Sequence, residues 1–181
     1  MKTIISSLAL NISKDDISSG QEPNLKSTFI VLIISSIAWS YILIEMTNAY
    51  INKEGFGLNI LSGIIAFLYS FGFVLMISLF SGIFLMKYIG FKKGFIFSVL
   101  ATLPVAAISI ISLVFKLQFG LVKVLGYFPE HALIMGAYLT IFSEVRLVSN
   151  CGKNLALVHL VFLTVLVYIL IGPIMFKLFN L

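Results

Sequence analysis

The chain has 181 residues, 60% of them hydrophobic and only 10% charged, with a mean hydropathy of +1.13. Soluble domains carry about 25% charged residues, which excludes a water-exposed globule and leaves no stretch for a separate soluble domain. The net charge of +5 comes from Lys and Arg scattered beside apolar runs, and no basic tract is long enough to follow a phosphate backbone, so no nucleic-acid partner is expected.

Residues 1–26 form a polar tail. Ile4, Ile5, Leu8 and Ile12 fall near one helical face, which suits a helix lying in the membrane interface; a frayed tail is the alternative. Ser6 and Ser7 interrupt the apolar stretch, Asp15 and Asp16 follow it, and no good small-residue cleavage site is present. The tail therefore reads as retained rather than as a signal peptide.

A membrane domain follows over residues 27–181. A spanning helix needs about 20 mostly apolar residues at 1.5 Å rise each, and five runs approach or exceed that: 27–46, 58–86, 94–115, 132–145 and 155–179. The expected fold is all-α, a polytopic bundle of five transmembrane helices. The second run exceeds a bilayer's hydrocarbon thickness and must tilt, kink or enter the headgroups. Its Gly63, Gly72 and Gly82, with Ser62, Ser70, Ser78 and Ser81, are small positions where another helix can approach closely. In the third run Pro104 removes a hydrogen bond and predicts a kink. The connector over 116–131 is amphiphilic and suits an interfacial helix. The fourth run is short: it either borrows residues from Tyr127 onward or is re-entrant.

With five spans, Lys2, Lys14, Lys26, Lys87, Lys92, Lys93, Arg146 and Lys153 fall on one side, and Lys53, Lys116, Lys123 and Lys177 on the other. Eight against four predicts a cytoplasmic N-terminus and an outer or lumenal C-terminus. Tyr50, Tyr88 and Tyr127 near span edges suit the interfacial aromatic belt.

Residues 80–104 read FSGIFLMKYIGFKKGFIFSVLATLP, and residues 138–158 read YLTIFSEVRLVSNCGKNLALV. A glycine-bearing helix enters a basic Gly-Phe turn and leaves as an apolar helix carrying Leu-Pro. Later a helix end meets a Gly-Lys turn and returns at once. With Gly90, Gly94, Pro104, Gly152 and Lys153 as its markers, this order over residues 58–167 resembles the Yip family of five-span membrane proteins, whose eukaryotic members are Rab-interacting trafficking factors. The resemblance implies five helices, a cytoplasmic N-terminus and no known catalytic centre. The Asp-Leu-Tyr-Gly-Pro motif of the eukaryotic members is missing here, so Rab recognition does not carry over.

Candidate chemistry is sparse. The single cysteine, Cys151, excludes an intrachain disulfide and any multi-cysteine metal site; it is an inert thiol or a palmitoylation site. Glu130 beside His131 offers two ligands where zinc needs more. Ser143, Lys153 and His159 suggest a hydrolase only weakly, since no glycine-flanked serine stands against a base. Glu45, Glu130 and Glu144 sit near span ends and are expected to anchor at the headgroups, Glu144 with Arg146 nearby. The sharper alternative gives Glu144 a proton or ion role with His159, because both should lie at similar depth. Otherwise His159 hydrogen-bonds a neighbouring helix.

The expected function is a non-catalytic integral membrane scaffold or accessory subunit of the Yip type, acting through membrane lipids and another integral membrane protein or a second copy. Lys92, Lys93, Arg146 and Lys153 are the candidate partner or lipid contacts, and Gly72, Gly82 and Pro104 the candidate packing residues. No cofactor, metal or catalytic residue is implied. The alternative is a small transporter or a membrane subunit of one, on the warrant of the kinked third run, the glycine-rich second run and the Glu144–His159 pair.

Overall fold

The computed structural model describes residues 25–51, 60–119 and 128–179. Six helices occupy them: α1 (Leu25–Ile51), α2 (Ile60–Ile89), α3 (Phe91–Ala101), α4 (Pro104–Phe119), α5 (Phe128–Ser149) and α6 (Lys153–Phe179). No strand occurs among the described residues. The expected N-terminal interfacial helix lies outside them, as does the middle of the connector over 116–131; the ends of that connector continue α4 and begin α5.

Four stretches are long and apolar enough to cross a membrane: Lys26–Glu45, Gly63–Ile89, Phe91–Val114 and Ala132–Ser149. The last helix adds an apolar segment over Lys153–Ile169 within its 27 residues. The chain is a helical membrane protein. The fourth run lies in a continuous 22-residue helix, of which Ala132–Ser149 is long and apolar enough to cross.

Burial is arranged for lipid rather than water. Ser35, Ser36, Ser70, Ser78, Ser81, Ser98 and Thr102 are fully enclosed, whereas Ile65, Leu68, Met86, Ile110, Val161 and Tyr168 face outward. Hydroxyls are small enough to let helices close and can bond the backbone beneath them: Ser36 donates to Leu32 O at 2.7 Å and Ser109 to Ala38 O at 2.9 Å. Both α1 and α5 touch all the other described helices. Trp39 of α1 meets Phe73 of α2 edge-on, centroids 5.0 Å apart. On the opposite flank Gly136 of α5 lies under the indole, where a Cβ would sit 3.3 Å from the ring.

Two local features set the geometry. A single residue, Gly90, separates α2 from α3, with φ 82 and ψ 148, a conformation reserved for glycine. The helices then fold back with Gly82 against Gly94, so close that a Cβ on Gly94 would lie 3.2 Å from Gly82 Cα, inside van der Waals contact. The disturbance expected at Pro104 falls just before it, as a two-residue turn at Thr102–Leu103 within the third span. Pro104 has no N–H to give Leu100, and Leu103 N donates to Leu100 O at 3.2 Å in its place. Pro104 then starts α4, where its missing donor and fixed φ do no harm.

Candidate functional site

The start of α1, the α2–α3 turn and the α5–α6 turn lie at one end of the bundle. That end carries Lys26, Lys87, Lys92, Lys93, Arg146 and Lys153. Lys26, Lys87, Lys92, Arg146 and Lys153 are exposed and Lys93 is half-buried. Among the described residues its only acid is Glu144, and Glu144 is not at the surface.

Instead of anchoring at the headgroups beside Arg146, Glu144 is fully buried, 0% exposed. Two residues apart on a helix point about 200° apart, so Arg146 turns out while Glu144 turns in. Ser98 of α3 donates to Glu144 Oε1 at 2.5 Å. His159 of α6 is equally enclosed, 0% exposed, and its Nε2 lies 4.0 Å from Glu144 Oε2. The same Nε2 shares a 3.0 Å hydrogen bond with the Ser81 hydroxyl of α2: Ser81 donates in one tautomer and accepts in the other. Phe84 covers the imidazole, centroids 4.9 Å apart, and Phe162 backs Phe84 at 5.7 Å.

Four elements thus deliver four polar side chains to one point. Ser81 and Ser98 flank Gly90, and Glu144 and His159 flank Cys151, each by about eight residues, which places the cluster about 12 Å inside the turns at helical rise. Glu144 Oε2 and His159 Nδ1 have no hydrogen-bond partner. At 4.0 Å the carboxylate and the imidazole are near enough to interact as charges but too far apart for a direct hydrogen bond. With one titratable proton on one group or the other, the pair is neutral overall, either as acid and imidazole or as carboxylate and imidazolium. One proton more or fewer leaves a net charge in the span, at about 2.5–3.5 kcal/mol on an insertion scale.

Serine, histidine and glutamate together invite comparison with a hydrolytic triad, and the geometry rejects it. In a triad the acid holds the imidazole nitrogen opposite the one facing serine. Here both approach Nε2, and Nδ1 is unpartnered. Ser81 also lies within a continuous helix, whose backbone donors are already used, so no oxyanion hole adjoins it. Ser143 donates to Leu139 O of its own helix at 2.7 Å and Lys153 is exposed, so the hydrolase candidates do not assemble. Among the described residues no three His, Cys, Asp or Glu side chains converge to hold a metal; the side chains of Glu130 and His131 lie outside that description.

Of the packing candidates, Gly82 does let two helices meet: a Cβ there would lie 3.2 Å from the Phe95 backbone nitrogen. Gly72 does not serve this bundle, since nothing lies within 4 Å of its Cβ position. Pro104 is buried at the helix break. The partners Ser81 and Ser98 escaped sequence reasoning, although a signal existed: hydroxyls placed symmetrically about Gly90, at the depth that Glu144 and His159 share about the next basic turn. Compared with known protein families, characterised proteins and solved structures, the chain matches none.

Proposed function

We propose that the chain is a small proton-coupled membrane subunit, of the transporter kind, working through the Glu144–His159 pair. The observation that carries this reading is an acid and a base, both fully enclosed among spanning helices, where ionisable groups are expensive and mark proton or ion pathways. The break at Thr102–Leu103 supports it, because interrupted spans recur where membrane transporters bind and move their cargo. Thr102 Oγ1 and Ser35 Oγ, 3.0 Å apart, continue the buried hydroxyls from Ser98 toward the middle of the bundle.

The Yip-type scaffold reading shares the same bundle and draws on the basic end, a surface suited to acidic partners and anionic lipid. One experiment separates the two. Purified protein is reconstituted alone in liposomes carrying an internal pH dye, and a proton gradient is imposed with and without a counter-ion pathway. Wild type should move protons above the empty-liposome background. Glu144→Gln retains an oxygen for Ser98 to donate to, so it should fold, confirmed by helicity and elution volume, yet fall to background. Background flux in wild type would refute self-contained transport and leave the accessory reading. Equal flux in wild type and Glu144→Gln would remove the site.

A further inference from the structure

We infer that the basic end of the bundle holds an anionic phospholipid in a specific groove between α1 and α3. The groove has a volume of about 590 Å³ and is lined by Lys26, Thr28, Phe29, Ile30, Leu32 and Phe95. That volume falls within the roughly 300–1,000 Å³ typical of small-ligand sites. Apart from Lys26 and Thr28 the walls are aromatic or aliphatic.

Polarity is graded along the groove as it is along a lipid. Lys26, exposed, stands at the mouth, where the first span begins. Leu32 lies six residues further on, about 9 Å deeper at helical rise, and is buried at the groove floor. Phe95 comes from the start of α3, and Lys92, three residues before it, belongs to the same helix face and stands over it at the headgroup level. A lysine stem can lie along the apolar wall while its ammonium reaches the interface. Cations above and hydrocarbon below match a phosphate headgroup with an acyl chain beneath it. A zwitterionic lipid would fill the apolar part but gain less from the lysines, and a free phosphate would gain nothing from Phe29, Ile30, Leu32 and Phe95. Lys87 and Lys93 extend the positive field around the turn, and basic residues clustered at the interface attract anionic lipid.

The groove is separate from the Glu144–His159 cluster, so the proposal stands or falls independently of proton transport. Its test is native mass spectrometry of the full chain released from nanodiscs of mixed phosphatidylglycerol and phosphatidylcholine. Wild type should retain one phosphatidylglycerol per chain in excess of its share of the nanodisc lipid. The double variant Lys26→Gln/Lys92→Gln should lose that preference while still retaining lipid. Ile30→Trp, which fills the groove from an exposed position, should lose the bound lipid altogether. Both variants are checked for wild-type helicity and elution volume. Retention in simple proportion to nanodisc composition, or an undiminished preference in both variants, would overturn the proposal. So would stronger retention after deletion of residues 1–24, since the N-terminal tail would then be the natural occupant. Inorganic phosphate that displaced the lipid completely would also overturn it, by making the apolar walls irrelevant.

Discussion

Adding one methyl group at Gly94 should unfold this protein more readily than adding one at Gly72, by a margin that follows from distances. At Gly94 an ideal Cβ would lie 2.9 Å from Leu85 Cβ and 3.2 Å from both Gly82 Cα and Gly82 O. Carbon–carbon contacts are most favourable at about 3.5–4.0 Å, so the methyl intrudes by roughly 0.6–1 Å. None of the atoms it meets is the free end of a flexible side chain. Leu85 is completely buried, and the other two belong to the backbone. The α2–α3 hairpin must therefore open, and overpacking of this kind costs about 1–3 kcal/mol; rigid neighbours put Gly94→Ala in the upper half. At Gly72 nothing lies within 4 Å, and the methyl enters lipid. Alanine gains up to about 1 kcal/mol over glycine in an aqueous helix, less here, because a detergent-unfolded span stays largely helical. The two variants should thus differ by about 2–3 kcal/mol. Equilibrium unfolding in mixed micelles of rising dodecyl sulfate content measures this. Trp39 is the chain's one tryptophan and is buried against Phe73, so its fluorescence reports loss of the bundle. A wild-type midpoint for Gly94→Ala, or equal shifts in both variants, would refute the close approach of α2 and α3.

Gly90→Ala tests the same hairpin by a different route. No atom obstructs a Cβ there, but φ of +82 strains any L-residue, and about 1–3 kcal/mol of destabilisation is expected in the same assay; an unchanged midpoint would mean that the turn adopts another conformation. Orientation can be read without mutagenesis, since Cys151 is the chain's one cysteine and lies half-buried in the α5–α6 turn at the basic end. A membrane-impermeant maleimide should label it in inside-out vesicles and spare it in right-side-out ones, as the positive-inside rule requires; the reverse pattern would overturn the assignment.

Much of the fold was legible because continuous apolar runs have few alternatives to spanning helices. The fourth run was the exception. Glu144 and Arg146 truncate its apolar stretch near residue 145, yet α5 continues to Ser149, because Glu144 turns inward to Ser98 and Arg146 outward to the interface. Hydropathy cannot register that difference, since it gives a charged residue one value whichever way it faces. Pro104 was legible as a disturbance but not as a helix start, which depends on Leu103 N taking over the carbonyl of Leu100. The glycines show the same limit. Gly82 and Gly72 are equally small, and only the packing decides that one meets α3 and the other meets lipid. Ser81 and Ser98 were hard to single out, because serine is common along these helices and only their matching depth about Gly90 marks these two.

The cluster is divided between two hairpins, and that division bears on how it could work. Glu144 and His159 both belong to the α5–α6 hairpin, while Ser81 and Ser98 both belong to the α2–α3 hairpin. The α2–α3 pair is closed tightly at Gly82 and Gly94 and should move as one body. Across the boundary, by contrast, the holding contacts include two hydroxyl hydrogen bonds and the rings of Phe80, Phe84 and Phe162, which can slide. Rocking one hairpin against the other would break the Ser98–Glu144 and Ser81–His159 bonds together, yet leave the acid opposite the base on its own hairpin. On the proposed reading, a proton carried by either group would then stay on the α5–α6 hairpin while its surroundings changed, as alternating access requires. The cluster lies about 12 Å below the basic end, and so about 18 Å from the far side of a 30 Å hydrocarbon core. A small opening at the basic end would therefore admit water first, and the longer path beyond the cluster is where a second copy of the chain would have to complete the route.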